Sequence, residues 1–213
     1  MDTEIPDLNL FMMCNTLCPS ACSPLPSGYS FRLCKRKELE KWKALHIDDP
    51  EQYDVYDAIL SNYIERVYAP KGNEFYQKCV FVCDAKGRPV GTCFIWKAYN
   101  LFYAVHWLKV MPQYEGKGLG RAILSFVLES LPAKDYPVFL HTHPSSYRAI
   151  KLYSDFGFKF LTDEVTGYRK NDLVESMFIL KERLPTRDYQ NLKITSAPQF
   201  FLDAALSSAM EEF

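Results

Sequence analysis

The segment Val110-Met-Pro-Gln-Tyr-Glu-Gly116-Lys-Gly118-Leu-Gly120-Arg121 places the tightest limit on what this chain can become. Ala104 to Val110 reads as a strand running into it. Gly118 to Leu131 reads as a helix leaving it, with Leu119, Ala122, Ile123, Phe126 and Val127 on one face. Glycines at alternate positions let the backbone approach a ligand closely and turn successive N–H groups inward. The helix start adds unsatisfied donors and the positive end of its dipole, which together make a phosphate cradle. Lys117 and Arg121 stand beside it and can supply charge. A dinucleotide fingerprint counted from Gly116 and Gly118 would need glycine at 121, where arginine stands, and the Gly-Lys-Ser/Thr of a Walker loop is absent. Glycines also serve merely to cap strands and helices, so the turn alone does not decide between the two readings.

Elsewhere the apolar periodicity alternates between strand and helix. Strands are expected at Tyr29–Cys34, at Lys78–Cys83 and Pro89–Trp96 as a hairpin, at Pro137–His143 and Phe158–Leu161, and last at Val174–Lys181. Helices are expected at Lys35–His46, Asp54–Tyr68, Ser146–Phe156 and Gln199–Glu211. This order predicts an α/β fold of the α+β type, a mixed sheet of about six to seven strands flanked by helices. Residues 1–27 carry three acids, no Lys or Arg and four prolines, and read as an extension that wraps or trails. Residues 28–183 read as one domain, and 184–213 as a tail with a helix.

Composition removes whole classes of function. Of 213 residues, 48% are hydrophobic and 24% charged, which excludes a disordered chain, a collagen repeat and a coiled coil. A formal net charge of -1 lacks the footprint of a generic nucleic-acid binder. No apolar run approaches the ~18 residues of a membrane span. The acidic start shows no export signal, and seven cysteines, an odd number, fit reduced thiols in a cytoplasm. Cys14, Cys18 and Cys22 lack the two-residue gaps and second ligand pair of a zinc site, so no metal is expected.

A second motif follows the glycine turn: Ser146, Ala149, Leu152 and Tyr153, then Gly157-Phe158. Together with Val110-Met111-Pro112 and Glu115 to Gly120, its order and spacing resemble the two signatures of the GNAT superfamily of N-acetyltransferases. Glu115 replaces the family's Gln or Arg, and Ser146 its common Asn. The resemblance covers about residues 28–183. It implies the GNAT fold, splayed between its fourth and fifth strands, with acetyl-CoA in the splay as co-substrate. The pyrophosphate would rest on Glu115, Gly116, Lys117, Gly118, Leu119, Gly120 and Arg121. The pantetheine would run beside Leu108, Lys109 and Val110, with Ser146 and Ala149 on the far wall.

Tyr153 matches the family's thiolate-protonating tyrosine, and a backbone N–H near Leu108 to Val110 matches its oxyanion donor. Either a core tyrosine or a catalytic one satisfies the helix pattern. His106 lies at the offset of the base in the arylalkylamine branch, on the strand face that simple alternation shares with Leu108 and Val110. A hydrogen-bonded strand histidine, His141, His143 or a water relay are its alternatives. The partner implied is a small primary amine met on the aromatic stretch 36–76, rather than nucleic acid or membrane, and a homodimer is compatible with all of this. A CoA-binding sensor without catalysis and a peptide N-terminal acetyltransferase remain as rival readings.

Overall fold

In a computed structural model, which describes residues 5–207, five strands run from the centre of the sheet to one edge. They are β6 (Val138–Thr142), β5 (Phe102–Val110), β4 (Pro89–Ala98), β3 (Val80–Cys83) and β2 (Ser30–Leu33). On the other side of β6 lie β1 (Leu10–Cys14), β7 (Lys159–Leu161) and β10 (Ile194–Thr195). The mixed α/β sheet therefore has eight strands, and a separate two-stranded ribbon joins β8 (Val165–Thr166) to β9 (Arg169–Lys170).

Strands β4 and β5 form a long antiparallel hairpin. β5 and β6 run parallel but pair only at Tyr103↔Val138 and Ala104↔Phe139. Beyond Ala104 they part, and a parallel pair that separates leaves unpaired backbone on both lips of the gap.

Alternation along the strands sends two different side-chain sets to the two faces. Leu10, Met12, Val82, Val90, Ile95, Val105 and Leu140 pack under α4 (Leu119–Glu129), α5 (Tyr147–Asp155) and α6 (Leu173–Arg183). Phe11, Phe81, Phe94, Trp96 and Phe139 face α1 (Leu39–Ala44), α2 (Tyr53–Tyr63), α3 (Glu74–Lys78) and α8 (Gln199–Ser207). A short α7 (Thr186–Gln190) leads back to β10. α2 does not end cleanly: Ile64–Tyr68 continues it as a π-helical turn, a form that inserts one extra residue per turn.

Three expectations are corrected. Residues 10–14 neither wrap nor trail; they pair at five positions with β6 and at two with β7, buried on both faces. Leu-Phe-Met-Met-Cys is a continuous apolar run, the mark of a central strand, and the neighbouring prolines obscured it. Val174–Lys181 is helical, within α6. Its apolar stripe is Leu173, Met177, Leu180 and Leu184, at helical spacing, while Val174 and Phe178 stand about 70% exposed. The sheet also exceeds the six to seven strands expected, because β1 and β10 join it from outside the span 28–183. Helix α8 is present as far as Ser207; the remainder of the stretch expected to reach Glu211 lies outside the described residues. Phe201 of α8 is fully buried and stacks on Phe139, centroids 4.0 Å apart.

Candidate active site

Where β5 and β6 part, a cleft of about 640 Å³ opens. Leu108, Lys109 and Val110 of β5 line it, with Glu115, Gly116, Gly118, Leu119, Gly120 and Arg121 at its end and Ser146 and Ala149 opposite. Two motifs some thirty residues apart thus meet across one gap. The structure also brings in Asp48, Tyr114, Ser145, Tyr147, Arg148 and Leu152, none of which the sequence singled out as ligand contacts. Lys117, Tyr153 and His106 are not among the lining residues.

The turn is built for backbone rather than side chains. Gly116 and Gly118 have φ of +73° and +79°, and Gly118 is the left-handed N-cap of α4. A Cβ on Gly116 would meet nothing within 4 Å, so the protein's own packing does not require glycine there; the left-handed conformation does. Gly91 is needed for a different reason. Its Cβ would lie 2.8 Å from the Lys109 carbonyl oxygen, so β4 approaches β5 closely only without one.

The charges around the turn are mostly engaged. Arg121 donates to the Ala21 carbonyl at 3.0 Å and to Asp155 at 2.5 Å, which joins the N-terminal segment to α4 and α5. Its guanidinium carries these two bonds while Arg121 also lines the cleft, beside the turn where the sequence lets it supply charge. Glu115 accepts from Arg148 at 2.7 Å, so the unusual acid carries its own counter-charge. Lys109 pairs with Asp48 across the mouth. Lys117 is exposed, its ammonium 5.0 Å from the Tyr114 ring centroid.

β5 is irregular at the cleft. Thr92 pairs with Lys109 but Phe94 with His106, so Cys93 alone faces both Trp107 and Leu108. This is a β-bulge. Trp107 has φ +54°, a left-handed conformation that costs a bulky side chain on the order of 1–3 kcal/mol. The extra residue shifts the alternation. Trp107 joins His106 on the aromatic face, whereas Leu108 and Val110 pack on the aliphatic one. The expectation that His106 shares a face with Leu108 and Val110 fails for this reason.

His106 is 6% exposed and its Nδ1 lies 2.6 Å from the Tyr68 hydroxyl. Burial, with a smaller contribution from Lys78, pushes its pKa down to about 3. Tyr153 is 7% exposed, its ring 5.8 Å from Phe158. Burial, and then proximity to Cys93, raise its phenol well above the ordinary value, so it stays protonated. Its electrostatic neighbour Cys93 is the residue that faces the bulge.

His141 and His143 are held by the chain preceding β1. Arg169 donates to His141 Nδ1 at 3.1 Å, which leaves Nε2–H to donate to Asn9 Oδ1 at 2.9 Å. His143 Nδ1 lies 3.0 Å from the Leu8 carbonyl and 2.9 Å from Asp7. Cys14 donates to the Thr16 carbonyl, and burial pushes its thiol up to about 11. Among the described residues no group of three or more His, Cys, Asp or Glu stands close enough to share a metal ion.

The family model described as Acetyltransferase (GNAT) family matches residues 40–158. No curated protein sequence matches the chain. Among solved structures, an acetyltransferase from the GNAT family of Colwellia psychrerythraea is 15% identical, over 74% of this chain and 54% of that one, with a TM-score of 0.49. A GCN5-related N-acetyltransferase of Sphaerobacter thermophilus is 18% identical, over 68% and 47%, with a TM-score of 0.44. A GNAT-family acetyltransferase of Staphylococcus aureus Mu50 is 18% identical, over 60% and 82%, with a TM-score of 0.43. The chain spans 54% or less of the length of the first two.

Proposed function

This chain belongs to the acetyltransferase (GNAT) family, and we propose that it moves an acetyl group from acetyl-CoA to a primary amine by direct attack in a ternary complex. One observation carries the reading: a left-handed glycine N-cap opens α4 into the cleft where β5 and β6 part, beside the bulge. The N–H groups of Leu119, Gly120 and Arg121 in the first turn of α4 have no partner within the helix and suit a pyrophosphate. Gly116 completes that wall, and Lys117 stands exposed beside it. The free lip of β5 at Leu108, Lys109 and Val110 suits the amides of a pantetheine, and Ser146 and Ala149 bound the opposite side.

In the reaction the amine lone pair attacks the thioester carbon and the C–S bond breaks. A backbone N–H of the bulge stabilises the oxyanion, worth on the order of 3–4 kcal/mol for one well-aimed donor. Tyr153, which burial keeps protonated, gives its proton to the leaving thiolate and regains one from water as the phenol re-forms. The amine's own proton leaves through water. His106, with a pKa of about 3, has little driving force as a base near neutrality. We place the reaction in the cytoplasm, in keeping with seven unpaired cysteines.

The burial of His106 equally favours a second reading, a CoA-binding sensor. Free-thiol release from acetyl-CoA across a panel of primary amines separates the two. Amine-dependent thiol supports the enzyme; CoA binding without release with any amine supports the sensor.

A further inference from the structure

We propose that Tyr68 is a positioning residue for acyl transfer: its hydroxyl clamps His106 and Trp107 to one face of β5 and so holds the bulge that presents the strand's backbone to the acyl carbonyl. The inference rests on reading the cleft as an acyl-transfer site.

The hydroxyl lies 2.6 Å from His106 Nδ1 and 2.7 Å from Trp107 Nε1. An indole N–H can only donate, so the tyrosine oxygen accepts from Trp107. The same hydroxyl shares a second hydrogen bond with His106 Nδ1 and also meets the Tyr63 side chain. In a regular strand residues 106 and 107 would point to opposite faces. Both reach one hydroxyl here because Trp107 is itself the first residue of the bulge, opposite Cys93. The same tie fixes the left-handed backbone of Trp107, the residue immediately before Leu108 of the cleft wall.

Packing does not account for the hydroxyl. Tyr68 is 1% exposed among Phe75, Phe94 and Trp96, with ring centroids at 5.0, 5.6 and 4.8 Å. A phenylalanine would fill that nest as well. A buried hydroxyl needs partners to offset its desolvation, and the two strand residues supply them together with Tyr63. Tyr68 also closes the π-helical turn Ile64–Tyr68. The helix carries its extra residue where it meets the strand's extra residue.

The test compares Tyr68→Phe, Trp107→Phe and the double variant with wild type. Each removes one end, or both ends, of the same bond while keeping an aromatic ring. The expected result is a kcat lower by ~10-fold or more, as for a misaimed oxyanion donor. The KM for acetyl-CoA and the affinity for CoA should stay within about twofold, and the double variant should be no slower than the slower single one. Without any turnover, ¹H–¹⁵N spectra of Tyr68→Phe should show the Trp107 indole and Leu108 amide displaced while Gly116 and Gly118 hold their positions. Calorimetry with acetonyl-CoA, a non-transferable ketone analogue, should show its preference over CoA shrinking in both single variants. An unchanged kcat, additive losses, or an unmoved Leu108 amide overturns the clamp. If wild type releases no thiol with any amine, the enzymatic reading falls, and the spectra and the analogue still decide whether Tyr68 sets the bulge. Should Tyr68→Phe fail to fold, Trp107→Phe removes the same bond from the strand side and is read by the same three measurements.

Discussion

The two faces of the sheet solve different problems. The face under α4 and α5 is filled mainly with aliphatic side chains, and at its edge the cleft offers glycine backbone and a helix start. The opposite face is packed with aromatic rings that enclose polar atoms. Trp42 Nε1, His46 Nε2 and Trp96 Nε1 are buried there without a hydrogen-bond partner, beside the Tyr68, His106 and Trp107 network. On the function proposed here, one face binds through main chain, which tolerates a change of side chain. The other depends on where particular side chains end, which it does not. Substitutions on the two faces should accordingly separate into losses of donor affinity and losses of rate or stability.

The largest effect expected is on the aromatic face. Phe201→Ala removes a fully buried ring stacked on Phe139 and should cost roughly 3–5 kcal/mol in urea unfolding. Donor affinity, measured on protein that remains folded, should hold. A parallel loss of CoA binding would mean that the faces are not independent. On the other side, Gly118→Asp puts a strained side chain and a negative charge at the N-cap of α4. CoA affinity should fall about 100-fold, equivalent to about 2.7 kcal/mol; titration showing wild-type affinity would remove the backbone cradle from the account.

Tyr153→Phe should lower kcat by ~10-fold with little change in melting temperature, since the ring packing against Phe158 remains. If single-turnover rates are unchanged, Tyr153 belongs to the aliphatic core alone.

The smallest effect concerns pH. The unfolded chain protonates His106 near its ordinary 6.5, but the folded protein does so only near 3. Between those values the unfolded state binds more protons, so stability falls as pH drops. From pH 7 to 6 this amounts to less than about 1 kcal/mol. His106→Gln should lower the slope of that part of the melting-temperature profile, with buried His46 and His141 supplying the remainder. The kcat/KM profile should carry no limb belonging to His106; a limb near pH 6–7 that vanishes in His106→Gln would restore it as the base.

What was legible in the sequence is what is local. Gly116 and Gly118 could be read as a turn into a helix start because a left-handed turn and the helix after it are set by short-range sterics. Gly157 was readable as the cap of α5 for the same reason: at φ +100°, it lets Gly157 and Phe158 N–H close on the Ser154 and Tyr153 carbonyls. The tertiary structure alone decided the rest. Leu10–Cys14 is central because β6 and β7 accept it on both edges, 124 or more residues away in the chain. Val174 and Phe178 could stand exposed on a helix because the sheet's positions were already taken by β1, β7 and β10. The face that His106 occupies turned on one extra residue in β5, held by a tyrosine 38 positions earlier. Pairing, strand order and bulge parity are set by contacts between distant segments, and a strand's own alternation is the same whichever neighbour it finds.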